Sequence, residues 1–189
     1  MPENRAITTR DTLAKCARMG KPRKEFLRTF VERYEKLFGP LRDIPVTVLE
    51  VGVGGYRHDK RGGGGLRMLA AFFGSEATIV GLDLHPKSFD DMPENVNIWQ
   101  GSQTDEDLLA RMAAQYGGFD IVIDDASHIT ASTVATFEAL WPHTRMMYIV
   151  EDLHMRTAKG TGDYFRNVIG VDFDTQNMCV VSRTITNNR

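Results

Sequence analysis

The stretch VTVLEVGVGG, at positions 46–55, constrains the fold more than any other part of the chain. It is β-branched, almost continuously apolar, and it ends in glycine. A strand on a half-solvated sheet alternates apolar and polar residues. One without alternation is buried on both faces, as central strands of parallel sheets are. The segments ATIVGLDLH (77–85), VNIWQG (96–101), FDIVIDD (119–125) and MMYIVED (146–152) also read as strands. Helical patterns separate them. RGGGGLRMLAAFF predicts a helix over about 66–73, and TDEDLLARMAAQY predicts one with Thr104 and Asp107 spaced as a capping box. TASTVATFEALWPH predicts a third, with Val134, Phe137 and Trp141 on one side. Such strict alternation argues for an α/β fold, a mostly parallel sheet with helices on both faces. Near the C-terminus, MCVVSRTI and the shorter GVDFD read as two more strands that form an antiparallel edge.

The first 40 residues are expected to be a helical segment. Leu27, Phe30, Val31, Tyr34, Leu37 and Phe38 recur at three- and four-residue steps. Gly20 and Pro22 divide the segment, and Gly39 with Pro40 ends it. No internal repeat or linker interrupts the pattern, so residues 1–189 read as one domain, long enough to bury a proper core. A formal net charge of −2 shows no basic excess of the kind that announces nucleic acid. The KPRKEFLR cluster at 21–28 reads as a solvated helix face. No apolar run approaches the roughly 20 residues of a membrane helix, and the polar N-terminus has no signal-peptide pattern. Cys16 and Cys179 match no metal spacing, and a reducing, cytoplasmic compartment is the simplest reading.

In open α/β sheets, ligands bind beyond the carboxyl ends of the strands, where the winding reverses. The first strand ends in Glu50, Gly52, Gly54 and Gly55. Glycines let backbone approach a ligand, although GVGG alone is as common in plain tight turns. Asp83 ends the second strand, where a carboxylate can accept hydrogen bonds from both ribose hydroxyls of an adenosine. Glu50 is placed to face a cationic ligand. A dinucleotide's pyrophosphate favours a compact glycine turn that enters a helix directly. Here a long charged loop, YRHDKRGGGG (56–65), intervenes. That suits S-adenosylmethionine, which has no phosphate and carries an ammonium and a sulfonium.

Asp124 and Asp125 end the fourth strand, and Glu151 and Asp152 end the fifth. Neighbouring parallel strands would bring these four acids to one rim, with one or two of each pair pointing inward. Carboxylates held close repel and take up protons, and a hard divalent cation relieves that repulsion. Oxygen ligands favour magnesium, calcium or manganese over zinc. His128, three residues past Asp125, can face the same pocket and take a proton near neutral pH. Taken singly, each acid pair is as readily a helix cap, and a lone histidine is more often structural. Two pairs together with a histidine favour chemistry: an acceptor hydroxyl activated by the ion and His128, then in-line methyl transfer.

With those residues in view, LEVGVGGY, GLDLHPKSF, QGSQTD, VIDDASHI and YIVEDL, preceded by YEKLFGPLRD, resemble a known family. It is the magnesium-dependent sugar O-methyltransferases of macrolide biosynthesis, the mycinamicin and macrocin type. The likeness runs from about residue 34 to residue 153. It implies a Rossmann-like class I methyltransferase fold, S-adenosylmethionine and Mg2+ as cofactors, and a small hydroxylated acceptor. It also implies metal ligands at Asp125, Glu151 and Asp152, with His128 as general base. Gly52, Gly54, Tyr56, Asp83 and the turn of Ser102 and Gln103 would line the cofactor, with Glu50 and Asp124 assigned to the same side. Catechol methyltransferases use a similar metal arrangement. Cephalosporin-hydroxylase-like proteins share related motifs, so a hydroxylase-like relative stands as one alternative, and a non-catalytic cofactor-binding module as another. The oligomeric state stays open. Three departures stand out: Ser102 in place of the family's usual acid, the run of four glycines at 62–65, and MGKPRK in place of a GTDK-like turn. The family usually continues past the position of Leu153 through a long acceptor-binding region, whereas here the final strand follows soon after.

Overall fold

The computed structural model describes residues 32–42, 44–153, 159–169 and 178–183. Most of the expected N-terminal helix, the basic cluster at 21–28, GVDFD and His154 lie outside them. Six strands form one sheet in the order β3-β2-β1-β4-β5-β6. They are β1 (Thr47–Val51), β2 (Thr78–Asp83), β3 (Val96–Gln100), β4 (Phe119–Asp124), β5 (Thr144–Val150) and β6 (Cys179–Ser182). All neighbours run parallel except β5 and β6, which pair antiparallel. The expected mixed sheet with an antiparallel edge is therefore present, with β6 as the edge strand. The order reverses between β1 and β4, which puts a crevice where the glycine-rich end of β1 emerges.

The helices are α1 (32–38), α2 (Gly64–Phe73), α3 (Glu106–Tyr116), α4 (Thr130–Leu140) and the short α5 (Lys159–Tyr164), which a π-turn at Phe165–Ile169 extends. Strand alternation splits the core into two layers. Val48, Ile79, Ile121, Ile123 and Ile149 pack on Phe38 of α1 and on Leu66, Leu69, Phe72 and Phe73 of α2. Leu49, Val51, Val80, Leu82, Val122, Tyr148 and Val150 pack on Leu109, Met112, Phe137 and Leu140 of α3 and α4. This double coverage is why the strands lack a polar face. Each such buried side chain contributes about 1.5–3 kcal/mol of hydrophobic stabilisation.

Two local expectations need correction. The N-cap of α3 is Asp105, whose side chain accepts from Leu108 N, not Thr104. Thr104 instead shares its hydroxyl with Ser102 (2.9 Å), and Ser102 Oγ accepts from Thr104 N, so the hydroxyl pair closes the preceding turn. The buried face of α4 is Thr133, Thr136, Phe137 and Leu140, and α4 stops before a 3-10 turn at Trp141–His143. Val134 is only half-buried. Thr136 takes a buried position because Ser132 O and Gln103 O satisfy its hydroxyl.

Candidate functional site

The strand ends are level. Val51 pairs with Leu82 and with Asp124, and Asp124 pairs with Val150. Backbone bonds carry the alignment one residue further: Gly52 N to Leu82 O (2.7 Å), Asp125 N to Val51 O (2.9 Å) and Glu151 N to Asp124 O (3.0 Å). Gly52 has φ +91, and a Cβ there would lie 2.6 Å from Ala126 Cα. Only glycine lets β1 end against the turn that carries Asp125.

Alternation then sorts the acids. Glu50, between Leu49 and Val51, turns to the α1–α2 layer. Glu151 does the same, since the Tyr34 hydroxyl of α1 donates to its Oε1. Glu50 is 8% exposed, and its Oε2 has no hydrogen-bond partner among the described residues. Burial, and then the Asp125 charge, push the Glu50 carboxyl up to about 8. Glu151 is raised well above the usual range by burial first and Asp125 second. Asp125 rises to about 7 through desolvation, then the charges of Asp152 and Asp124. These acids sit close enough to disfavour one another's ionisation.

Asp125, His128 and Asp152 each offer one ligand atom, all within 4.8 Å of one another. His128 Nε2 stands 3.9 Å from Asp125 Oδ1 and 3.9 Å from Asp152 Oδ2. His128 (φ 53) and Asp152 (φ 54) both hold left-handed backbone, which non-glycine residues seldom adopt. Such strain tends to gather where a side chain must be aimed. The tightest grouping thus joins His128 to Asp125 and Asp152, while Glu151 lies behind it on Tyr34.

On the other side of the crevice, Asp83 Oδ2 accepts from Val53 N (3.2 Å) in the glycine loop, and Oδ1 accepts from His85 N (2.9 Å). Lys87 Nζ donates to Tyr56 O (2.6 Å) and His58 O (3.3 Å). Tyr56 has φ 49 and is 89% exposed, so its ring stands in solvent at the rim. Asp124 takes a different part from Asp125, because alternation turns it to the α3–α4 layer. It accepts from Tyr148 Oη (3.3 Å), Ala126 N (3.4 Å) and Gln103 Nε2 (3.5 Å), and burial raises its carboxyl to about 7. Gln103 also donates to Thr136 Oγ1 (3.0 Å) and accepts from Ser127 N (3.1 Å). Asp124 and Gln103, expected at the cofactor, hold the turn before His128. Tyr34, Lys87, Thr136 and Tyr148 were missed as site residues. The first and last read as core aromatics, and nothing in sequence marks Lys87 or Thr136 except position near a strand end.

No family model matches the chain. It is 46% identical over 134 residues to mycinamicin VI 2''-O-methyltransferase of Micromonospora griseorubida, a match covering 70% of this chain and 33% of that protein. It is 42% identical over 134 residues to demethylmacrocin O-methyltransferase of Streptomyces fradiae, with the same coverage. Among solved structures, the MycE methyltransferase of the mycinamycin pathway, in complex with Mg and SAH, superposes with a TM-score of 0.71 at 42% identity. That match covers 80% of this chain and 39% of MycE. The chain is a relative of these O-methyltransferases. Its fold is the Rossmann-like methyltransferase fold. CalS11, a TDP-rhamnose 3'-O-methyltransferase, shares that fold at 14% identity, with a TM-score of 0.55 over 90% of this chain and 92% of that one. The chain spans about a third of the length of the curated relatives it matches. Among the described residues, no helix is long and apolar enough to cross a membrane.

Proposed function

We propose that the chain is an S-adenosylmethionine- and divalent-metal-dependent O-methyltransferase acting on a hydroxyl of a sugar or other small hydroxylated natural product. The observation that carries this reading is the meeting of Asp125, His128 and Asp152 at the switch-point rim, their ligand atoms within 4.8 Å. The relatives support it. MycE was solved with Mg and SAH, and in one case also with mycinamycin VI. The relatives are O-methyltransferases by name, which gives no support to a hydroxylase-like alternative. We place the activity in the cytoplasm, in keeping with the reducing compartment expected from sequence.

The donor set fits a hard cation. Asp125 and Asp152 bring carboxylate oxygens together from two adjacent strand ends, with Glu151 beside them; burial first, and then like charge, raise the Asp125 and Glu151 carboxyls, and a cation would offset the charge repulsion. We assign the ion to these three. When bound, the ion would lower the pKa of an acceptor hydroxyl, and the sulfonium donor would supply the methyl group. His128 takes the hydroxyl proton at Nε2, which stands 3.9 Å from both Asp125 Oδ1 and Asp152 Oδ2. Gly52 and Gly54 let the backbone approach the donor, and Asp83, fixed by two backbone N–H groups, receives the ribose hydroxyls. Glu50, buried behind the glycines, adds negative potential toward a cationic ligand.

The test is methyl transfer from isotope-labelled S-adenosylmethionine to a panel of glycosides and diols, with magnesium or with chelator, read by mass spectrometry. Label should reach a hydroxyl only when magnesium is present. Transfer that chelator leaves untouched, or no transfer to any hydroxyl, refutes the reading.

A further inference from the structure

Lys87 lies in the loop after β2, four residues past Asp83. Its side chain is 0% exposed. Lysine is almost never fully buried unless paired, because stripping water from an ammonium is unfavourable by several kcal/mol. Three oxygens offset that penalty here. Tyr56 O (2.6 Å) and His58 O (3.3 Å) accept from Nζ, and Asp83 Oδ1 stands 3.9 Å away. Two of these oxygens belong to the loop that follows the glycines of β1, and the third belongs to the acid at the end of β2.

The neighbouring contacts tie the same two segments together. Ser88 N and Ser88 Oγ each reach Asp59, at 3.1 Å. Lys60 pairs with Asp90 at 2.5 Å, and Arg67 pairs with Asp91 while lying 5.2 Å over the Phe89 ring. Asp90 and Asp91 are well exposed, and exposed pairs contribute little. Lys87 is the buried contact in this group. It also holds the carbonyl of Tyr56, a residue in left-handed backbone within the turn that His58 N closes on Gly55 O (3.1 Å).

We infer that Lys87 is a positioning residue, whose buried ammonium fixes the loop at 54–58 against Asp83 and so shapes the donor pocket before any ligand arrives. This rests on the donor reading proposed above. A wall ordered in advance raises affinity, because less freedom is lost on binding. Among the described residues, Lys87 reaches Tyr56, His58 and Asp83 rather than Asp125 or Asp152, so donor affinity and metal affinity separate when it is changed.

The experiment uses Lys87→Met, which keeps the length of the side chain and removes its charge, and Lys87→Gln, a milder change that retains a neutral donor. Folding is checked by circular dichroism, and Lys87→Gln stands alone if the methionine variant does not fold. Calorimetry measures binding of S-adenosylhomocysteine and, separately, of Mg2+. Limited trypsin digestion reads the loop directly, since Arg57, Lys60 and Arg61 are cleavable positions within it. Losing hydrogen bonds to a charged group should weaken S-adenosylhomocysteine about tenfold or more. Mg2+ affinity should be unchanged and cleavage in the loop faster, with Lys87→Gln between wild type and Lys87→Met. A folded variant with unaltered S-adenosylhomocysteine affinity overturns the inference, whatever its cleavage rate. A wild-type protein that binds no S-adenosylhomocysteine refutes the donor reading instead. Cleavage then decides alone: a faster rate sustains the brace, and an unchanged rate overturns it.

Discussion

Replacing Glu50 with glutamine should make the metal-free protein more stable at neutral pH, and the gain should vanish in acid. The Glu50 carboxyl is buried, its Oε2 lacks a partner among the described residues, and Asp125 is its strongest charged neighbour. Its value rises from 4.5 in the unfolded chain to about 8 in the folded one. Between those two values the unfolded state ionises freely while the folded state resists, so stability falls as pH rises through that window. Below the window both states are protonated and nothing is lost. At about 1.4 kcal/mol per pKa unit, the loss at pH 7 is about 3 kcal/mol. Glutamine has nearly the same shape and never ionises, so it should recover that amount. Urea unfolding of both proteins in chelator, from pH 4.5 to pH 8, gives the comparison. The midpoints should coincide at the acid end and diverge steadily above it. A Glu50→Gln protein that is no more stable at pH 8, or whose advantage is the same at every pH, would show that the glutamate is not held as a strained acid. Magnesium should narrow the gap, since a nearby cation favours the ionised carboxylates.

Four other outcomes are expected. Asp120 accepts from Thr47 N (2.7 Å) and Arg145 Nε (2.6 Å), and the Arg145 hydrogen bond together with the Thr47 N–H hold its carboxyl below the usual range against the opposing effect of burial. Asp120→Ala should destabilise by about 3 kcal/mol at pH 7 in urea melts, and the gap should close as pH falls through the folded value, because the contribution needs the ionised form. Gly52→Ala forces a side chain into left-handed backbone and against Ala126, so its thermal midpoint should drop by an amount matching about 2 kcal/mol or more. His128→Ala should lower kcat about 10²–10⁴-fold while S-adenosylhomocysteine affinity measured by calorimetry stays near wild type. Tyr34→Phe removes the hydrogen bond that favours ionised Glu151, so Mg2+ affinity should fall while the far-UV spectrum does not change.

Much of the fold was legible from the chain. The doubly buried strands have no polar face to confuse with a helix period, and glycine at 52 could only sit where backbone comes close to backbone. The level strand ends follow from parallel pairing, so the meeting of Asp125 with Asp152 was also within reach. The division of labour among the acids was harder. Asp124 and Asp125 are adjacent, yet the period of two sends them to opposite layers, one to Tyr148 and Gln103 and the other to the rim. Which goes where depends on which helix covers which face, and composition does not state that. Lys87 shows a different limit. A lysine among serines and aspartates reads as solvated surface, and only the fold of the glycine loop over it makes it buried. The cap of α3 slipped by one residue, because Thr104 had a competing partner in Ser102.

In the function proposed above, oxygens from the ends of β4 and β5 converge on one divalent cation beside the donor. Titrating Mn2+ into the wild type, Asp125→Asn and Asp152→Asn, with bound ion counted by electron spin resonance, addresses it most directly. The wild type should take up one ion per chain, and either substitution should weaken binding at least tenfold without unfolding the protein. Equal uptake by all three, or none by the wild type, would contradict the account.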